Sequence, residues 1–143
     1  MKNLLIDTDV ILDVLVKRGP FFAASANLWA KAEEQHVRAY LASHTVTTLF
    51  YLIRKSKGKK LARESIRDIL SVFEIAPVDK KGLLLALELD FTDFEDAVQF
   101  AAAKQINADF IITRNITHYR KSDIPVLIPD LFLATLDSTR TLS

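Results

Sequence analysis

Four carboxylates carry the chemical potential of this chain: Asp7, which closes the apolar run Asn3-Leu4-Leu5-Ile6, and the cluster Asp93, Glu95 and Asp96. Acids crowded together repel one another and either take up protons or recruit a cation, and hard cations such as Mg²⁺ or Mn²⁺ prefer oxygen ligands of this kind. The chemistry on offer is the binding of such a cation, provided the fold brings residue 7 to residues 93–96.

Helical geometry sorts the cluster. Asp93 and Asp96 are three positions apart and share a face in one turn, whereas Glu95 points roughly 100° or 200° away from them. A plainer reading is that Asp93 caps a helix and Asp96 complements its dipole. The neighbours Phe91, Phe94, Ala97, Val98, Phe100, Ala101, Ala102 and Ala103 describe a largely buried helix, however, and a buried acid needs a partner. Asp9 and Asp13 fall in the turn and first helix after Asp7, where either can line a pocket rim; Asp13, among Ile11, Leu12, Val14 and Leu15, equally suits a structural acid bonded to a neighbouring loop. Thr113, Arg114 and Asn115 close a later apolar run: a hydroxyl and an amide there suit a metal-bound water, Arg114 suits a phosphate, and Asn115 also suits a simple turn cap. The basic stretch Arg54, Lys55, Lys57, Lys59, Lys60 and Arg63 either steers a phosphate backbone or is a solvated turn. His36, His44 and His118 lack metal-ligand spacing, although His44 or His118 can border the cleft.

The elements that must position these groups alternate. Leu4-Leu5-Ile6 has the unbroken apolar pattern of a strand buried on both faces. Helical spacing follows in Val10, Ile11, Val14 and Leu15 until Gly19-Pro20, then from Phe22 to Gln35. A weak strand over residues 38–42 leads to a helix capped by Ser43 or Thr45 and ending near Lys57-Gly58, and an amphipathic period runs from Lys60 to Phe73. Strands over 74–78, 107–113 and 124–128 alternate with helices over 79–89 and from a cap at Thr92 or Asp93 through Lys104, and Pro129 opens a last helix to about Leu136. Strands alternating with one or two helices predict a three-layer α/β/α sandwich around a mostly parallel sheet of about five strands. Right-handed crossovers then align the carboxyl ends of the strands along one edge, with the site where strand order reverses.

With 143 residues, 50% of them apolar and 26% charged, the chain reads as one domain over 1–143, with 137–143 as a frayed tail. The absence of cysteine excludes disulfides, thiolate metal sites and cysteine nucleophiles. No apolar run approaches the roughly 20 residues needed to cross a bilayer and the N-terminus lacks signal-peptide features, so a cytoplasmic location is expected. With 19 basic and 18 acidic residues the net charge of +1 offers no global attraction to nucleic acid, so such binding must be local.

Over nearly its whole length the chain resembles the PIN-domain family of metal-dependent ribonucleases. The matching segments are Leu5-Ile6-Asp7-Thr8-Asp9-Val10-Ile11-Leu12-Asp13, Asp93-Phe94-Glu95-Asp96-Ala97 and Ala108-Asp109-Phe110-Ile111-Ile112-Thr113-Arg114-Asn115. The resemblance implies an acidic pocket of Asp7, Asp93 and Asp96 that binds Mg²⁺ or Mn²⁺ and cuts RNA phosphodiesters. Thr48, Thr113, Asn115 and Asp9 would support that pocket, and Arg114, Arg54 and Lys55 would contact RNA. It further implies a homodimer and a VapC-like toxin restrained by a small antitoxin. In this chain Thr48 and Asn115 stand where many members of the family carry acids. Two rival readings follow from the residues: a PIN-like domain that binds RNA or a protein partner without cutting, and a phosphatase of the haloacid-dehalogenase type using Asp7-Thr8-Asp9, which has Ile11 where that motif continues to threonine.

Overall fold

The computed structural model describes the backbone of residues 1–142 and the side chains of residues 1–137. Five strands, β1 (Asn3–Ile6), β2 (Arg38–Ala42), β3 (Glu74–Ala76), β4 (Phe110–Ile112) and β5 (Val126–Leu127), form one sheet in the order β3-β2-β1-β4-β5. Every pairing is parallel, with Leu5 opposite Tyr40 on one side and Ile111 on the other. Among the described residues seven α-helices, α1 (Thr8–Leu15), α2 (Phe22–Glu33), α3 (Ser43–Lys57), α4 (Lys59–Val72), α5 (Lys80–Glu88), α6 (Phe94–Gln105) and α7 (Pro129–Leu142), cover its two faces. The α/β/α architecture expected from the alternation of periods is the observed one.

The apolar run of β1 explains the layering. Leu4, Leu5 and Ile6 are all fully buried, and successive side chains of a strand point to opposite faces. Leu4 and Ile6 enter a core with Val10 and Ile11 of α1, Leu28 of α2, Leu49 and Ile53 of α3, Ile69 of α4 and Phe132 of α7. Leu5 enters the opposite core with Ala102 and Ala103 of α6, Ile111 and Tyr119. The small side chains of α6 let that helix lie close on the sheet, and Ala86 of α5 packs on Ala97 and Val98 outside it.

Several boundaries differ from the sequence expectation. β3 ends at Ala76, before Pro77, because proline has no N–H for the ladder, and β5 is only two residues long at the sheet edge. Neither Ser43 nor Thr45 caps α3: its N-cap is Ala42, the Ser43 hydroxyl accepts from the N–H of Val78, and Thr45 is buried. α7 runs past Leu136 to Leu142, while the side chains beyond Asp137, where a frayed tail was expected, lie outside the described residues. Among the described residues no helix is long and apolar enough to cross a membrane.

Candidate active site

β1 lies between β2 and β4, so consecutive strands depart from it in opposite directions and a crevice opens at their carboxyl ends. Asp7 stands in that crevice as the first residue after β1. Its N–H continues the ladder to the carbonyl of Ile112 at 2.9 Å, and its Oδ1 caps α1 by accepting from the N–H of Thr8 at 2.7 Å. Its Oδ2 accepts from Thr113 Oγ1 at 2.9 Å and from Tyr119 Oη at 3.0 Å. Thr113 is fully buried just after β4, and its Oγ1 accepts in turn from the N–H of Asn115. Both oxygens of Asp7 are thereby held by donors from α1, from the residue after β4 and from the short 3-10 helix Ile116–Tyr119.

Asp96 reaches the same place from helix α6. It is half-buried in the first turn of α6, with Oδ1 3.5 Å from Tyr119 Oη and Oδ2 3.3 Å from Nδ1 of the exposed His118. Burial first, then the charges of Asp7 and Asp93, push its carboxyl up to about 6. Asp9, in the first turn of α1, accepts at Oδ2 from Asn115 Nδ2 at 2.9 Å, while its buried Oδ1 has no hydrogen-bond partner. Burial and the nearby Asp7 push its carboxyl up to about 7. Burial raises the Tyr119 hydroxyl far above its ordinary value, with Asp7 and Asp96 adding to the effect, so it stays protonated and serves as a donor.

Asp93 sits at the edge of this group. It is exposed and N-caps α6, its Oδ1 accepting from the N–H of Asp96 at 3.2 Å. Glu95 is also exposed, 3.9 Å from His44 Nε2. His44, on α3, keeps both ring nitrogens buried without a hydrogen-bond partner, and burial lowers its pKa. Beneath lies a polar knot in which Gln99 Nε2 donates to Thr45 Oγ1 at 3.0 Å and Thr45 meets Thr8 Oγ1 at 2.9 Å, tying α6, α3 and α1 together.

The other expected site residues are placed differently. The Thr48 hydroxyl donates back to the carbonyl of His44, one turn up its own helix, at 3.1 Å. Arg114 is committed to the fully buried Asp13, with Nε 2.7 Å from Oδ2, and its guanidinium lies 4.2 Å from the centre of the Phe21 ring. Asp13 is thus the structural acid, completed by Arg18 at 3.6 Å. Arg54 and Lys55 are exposed in the last turn of α3, and a helix rising about 1.5 Å per residue carries them roughly 15 Å from His44 and the crevice. The residue that sequence reasoning missed is Tyr119. A tyrosine among polar loop residues has no local signature of burial, and its 1% exposure arises only when the 3-10 helix folds onto Phe91 and α6.

The donor set tests the fit of a divalent cation. A buried carboxylate oxygen without a partner and two carboxyls raised first by burial and then by the charge of Asp7 are what a cation would relieve. Among the described residues no three His, Asp or Glu side chains converge as a ready-made site. The unpartnered Asp9 oxygen and the raised Asp96 carboxyl fit a divalent cation held by one or two carboxylates and completed by water.

Comparison with known proteins decides the family. The family model of the PIN domain matches residues 3–117. The chain belongs to the PIN-domain family. Ribonuclease VapC1 of Aquifex aeolicus (strain VF5) is 28% identical over 144 residues, covering 92% of this chain and 93% of the relative. The crystal structure of FitAcB from Neisseria gonorrhoeae superposes with a TM-score of 0.70 at 22% identity, covering 88% of this chain and 97% of that one. A toxin-antitoxin complex from Klebsiella pneumoniae gives a TM-score of 0.66 at 21% identity over 88% and 97%. At such identity the solved structures establish the PIN fold, and the family match replaces the phosphatase reading of Asp7-Thr8-Asp9.

Proposed function

We propose that this PIN domain, acting as a single domain over residues 1–143, is a divalent-metal-dependent endoribonuclease and the toxin of a toxin-antitoxin pair. The observation that carries the reading is the meeting of Asp7, from the end of β1, and Asp96, from the first turn of α6, at the hydroxyl of Tyr119. Asp7 and Asp96 are the proposed ligands of Mg²⁺ or Mn²⁺. Bound there, the cation supplies positive charge at the scissile phosphate and a water of lowered pKa, which dispenses with a serine or cysteine nucleophile. Thr113 and Tyr119 orient Asp7, Asn115 orients Asp9 beside it, and Asp93 contributes charge while capping the helix that carries Asp96.

The likeness to Ribonuclease VapC1 supports RNA as substrate, and the likeness to the Klebsiella pneumoniae complex supports a small antitoxin as partner. Self-association is supported by α5, which leaves Leu83, Leu84, Leu85 and Leu87 exposed, an apolar surface that suits a second copy. The cytoplasm is the location that matches an RNA substrate.

RNA cleavage by the purified protein with Mn²⁺ tests the proposal. Asp7→Asn and Asp96→Asn are expected to abolish it, whereas Asp93→Asn, which preserves a capping side chain, is expected to reduce it only. Undiminished cleavage by either of the first two variants overturns the assignment. The bond of Thr48 to its own helix and the neutral Asn115 favour a second reading, a domain that binds RNA without cutting. Calorimetry separates the two: absence of Mn²⁺ binding even with a nonhydrolysable RNA favours the second.

A further inference from the structure

Next to the acid cluster, across Arg114, lies a cavity of about 440 Å³ that none of the steps above uses. Its walls are Pro20, Phe21, Ile128 and Pro129, Ser25 and Arg114 complete the lining, and the exposed Asp130 stands at its rim. That volume falls within the range of pockets that hold small ligands.

Three features define what fits. Arg114 is shared between cavity and acid site: it precedes Asn115, which donates to Asp9 at 2.9 Å, and its side chain is fixed by Asp13 and by the Phe21 ring. A fixed guanidinium at the border suits a phosphodiester continuing out of the crevice. Ser25 is 2% exposed and its hydroxyl has no hydrogen-bond partner, a deficit that the polar edge of a ligand relieves. Asp130 offers only acceptors when ionised, so it selects a ligand edge that carries N–H groups. A flat ligand with apolar faces, an N–H-bearing edge and a phosphate beside it is a nucleotide.

Resting on the nuclease reading, we propose that this cavity is a base-reading subsite that takes the nucleobase next to the scissile phosphate. It prefers a base with an exocyclic amino group over uracil, whose edge is dominated by two carbonyl oxygens that Asp130 repels.

Amide resonances of the metal-free protein, followed by NMR during titration with AMP, CMP, GMP, UMP and ribose 5-phosphate, test the subsite without requiring catalysis. Saturable shifts at Phe21, Ser25 and Asp130 are expected with the amino-bearing nucleotides, at least one of them binding about tenfold tighter than UMP, the discrimination one well-placed hydrogen bond supplies. The exposed-site variant Asp130→Asn is expected to narrow that ratio. Equal shifts with ribose 5-phosphate reduce the site to an anion contact at Arg114 and overturn base reading, as does equal affinity for UMP. Unmoved amides with every nucleotide, but shifts with an apolar peptide, make the cavity a protein-docking groove and overturn it as well. Cleavage of RNA by a protein that shows no nucleotide shifts defeats the subsite alone. Selective nucleotide binding by a protein that cuts nothing defeats the nuclease reading alone.

Discussion

The hydroxyl of Tyr119 donates to Oδ2 of Asp7 at 3.0 Å across 112 residues of chain. The hydroxyl oxygen of Tyr119 also lies 3.5 Å from Oδ1 of Asp96, so one buried donor stands between a carboxylate at the end of β1 and one in the first turn of α6. A single proton serves one of them fully. In the absence of a cation, this contact offsets part of the repulsion that raises the Asp96 carboxyl.

Tyr119→Phe keeps the ring packed on Phe91 and removes only that donor. Loss of a buried hydrogen bond to a charged group is expected to destabilise the metal-free protein by about 1.5–3 kcal/mol, with part of the loss restored by Mn²⁺. Thermal unfolding with and without Mn²⁺ checks this. An identical loss in both conditions would mean that the hydroxyl only packs.

The raised carboxyls of Asp9, about 7, and Asp96, about 6, set a pH dependence. Their ordinary value is 3.8, so between about pH 4 and 7 the metal-free native state binds more protons than the unfolded chain. The stability these two groups contribute is complete below about pH 4 and is lost as the pH rises through 6 and 7. Metal binding requires the ionised form and runs the other way. The rise in melting temperature produced by Mn²⁺ is expected to be larger at about pH 8 than at about pH 5.5, and RNA cleavage is expected to fall off on the acid side. A Mn²⁺ effect independent of pH refutes the coupling.

Arg114 neutralises the fully buried Asp13. Arg114→Ala leaves that acid with only Arg18 at 3.6 Å, and removing one partner of a buried pair costs about 3–5 kcal/mol. The double variant Asp13→Leu, Arg114→Met, which replaces both charges by apolar groups, is expected to recover a large share of the loss in urea unfolding. Equal stability of the single and double variants would show that the pair is not the source of the loss.

On α5, Leu84 and Leu87 are 53% and 65% exposed and lie three residues apart, on one side of the helix. Replacing both with glutamate is expected to convert a two-chain species into a single chain in light-scattering chromatography, without loss of helical content. A wild-type protein already eluting as one chain rules out self-association through this face.

Much of this arrangement is legible in the order of residues. Leu4-Leu5-Ile6 could only be a strand buried on both faces, the alternation of short apolar runs with 3.6-residue periods required a layered parallel sheet, and parallel strands necessarily send Asp7 and Thr113 to one edge. The start of α6 at Asp93, the plainer reading of that acid as a helix cap, was likewise legible, because capping is set locally. Side-chain partnership is not. Whether Arg114 stood free or was held by Asp13, and whether Tyr119 lay in solvent or between two acids, depended on which elements packed against which. Those choices are made by desolvation: a buried charge or hydroxyl takes the nearest group that satisfies it, and that group is supplied by tertiary contact across a hundred residues, which no local periodicity records.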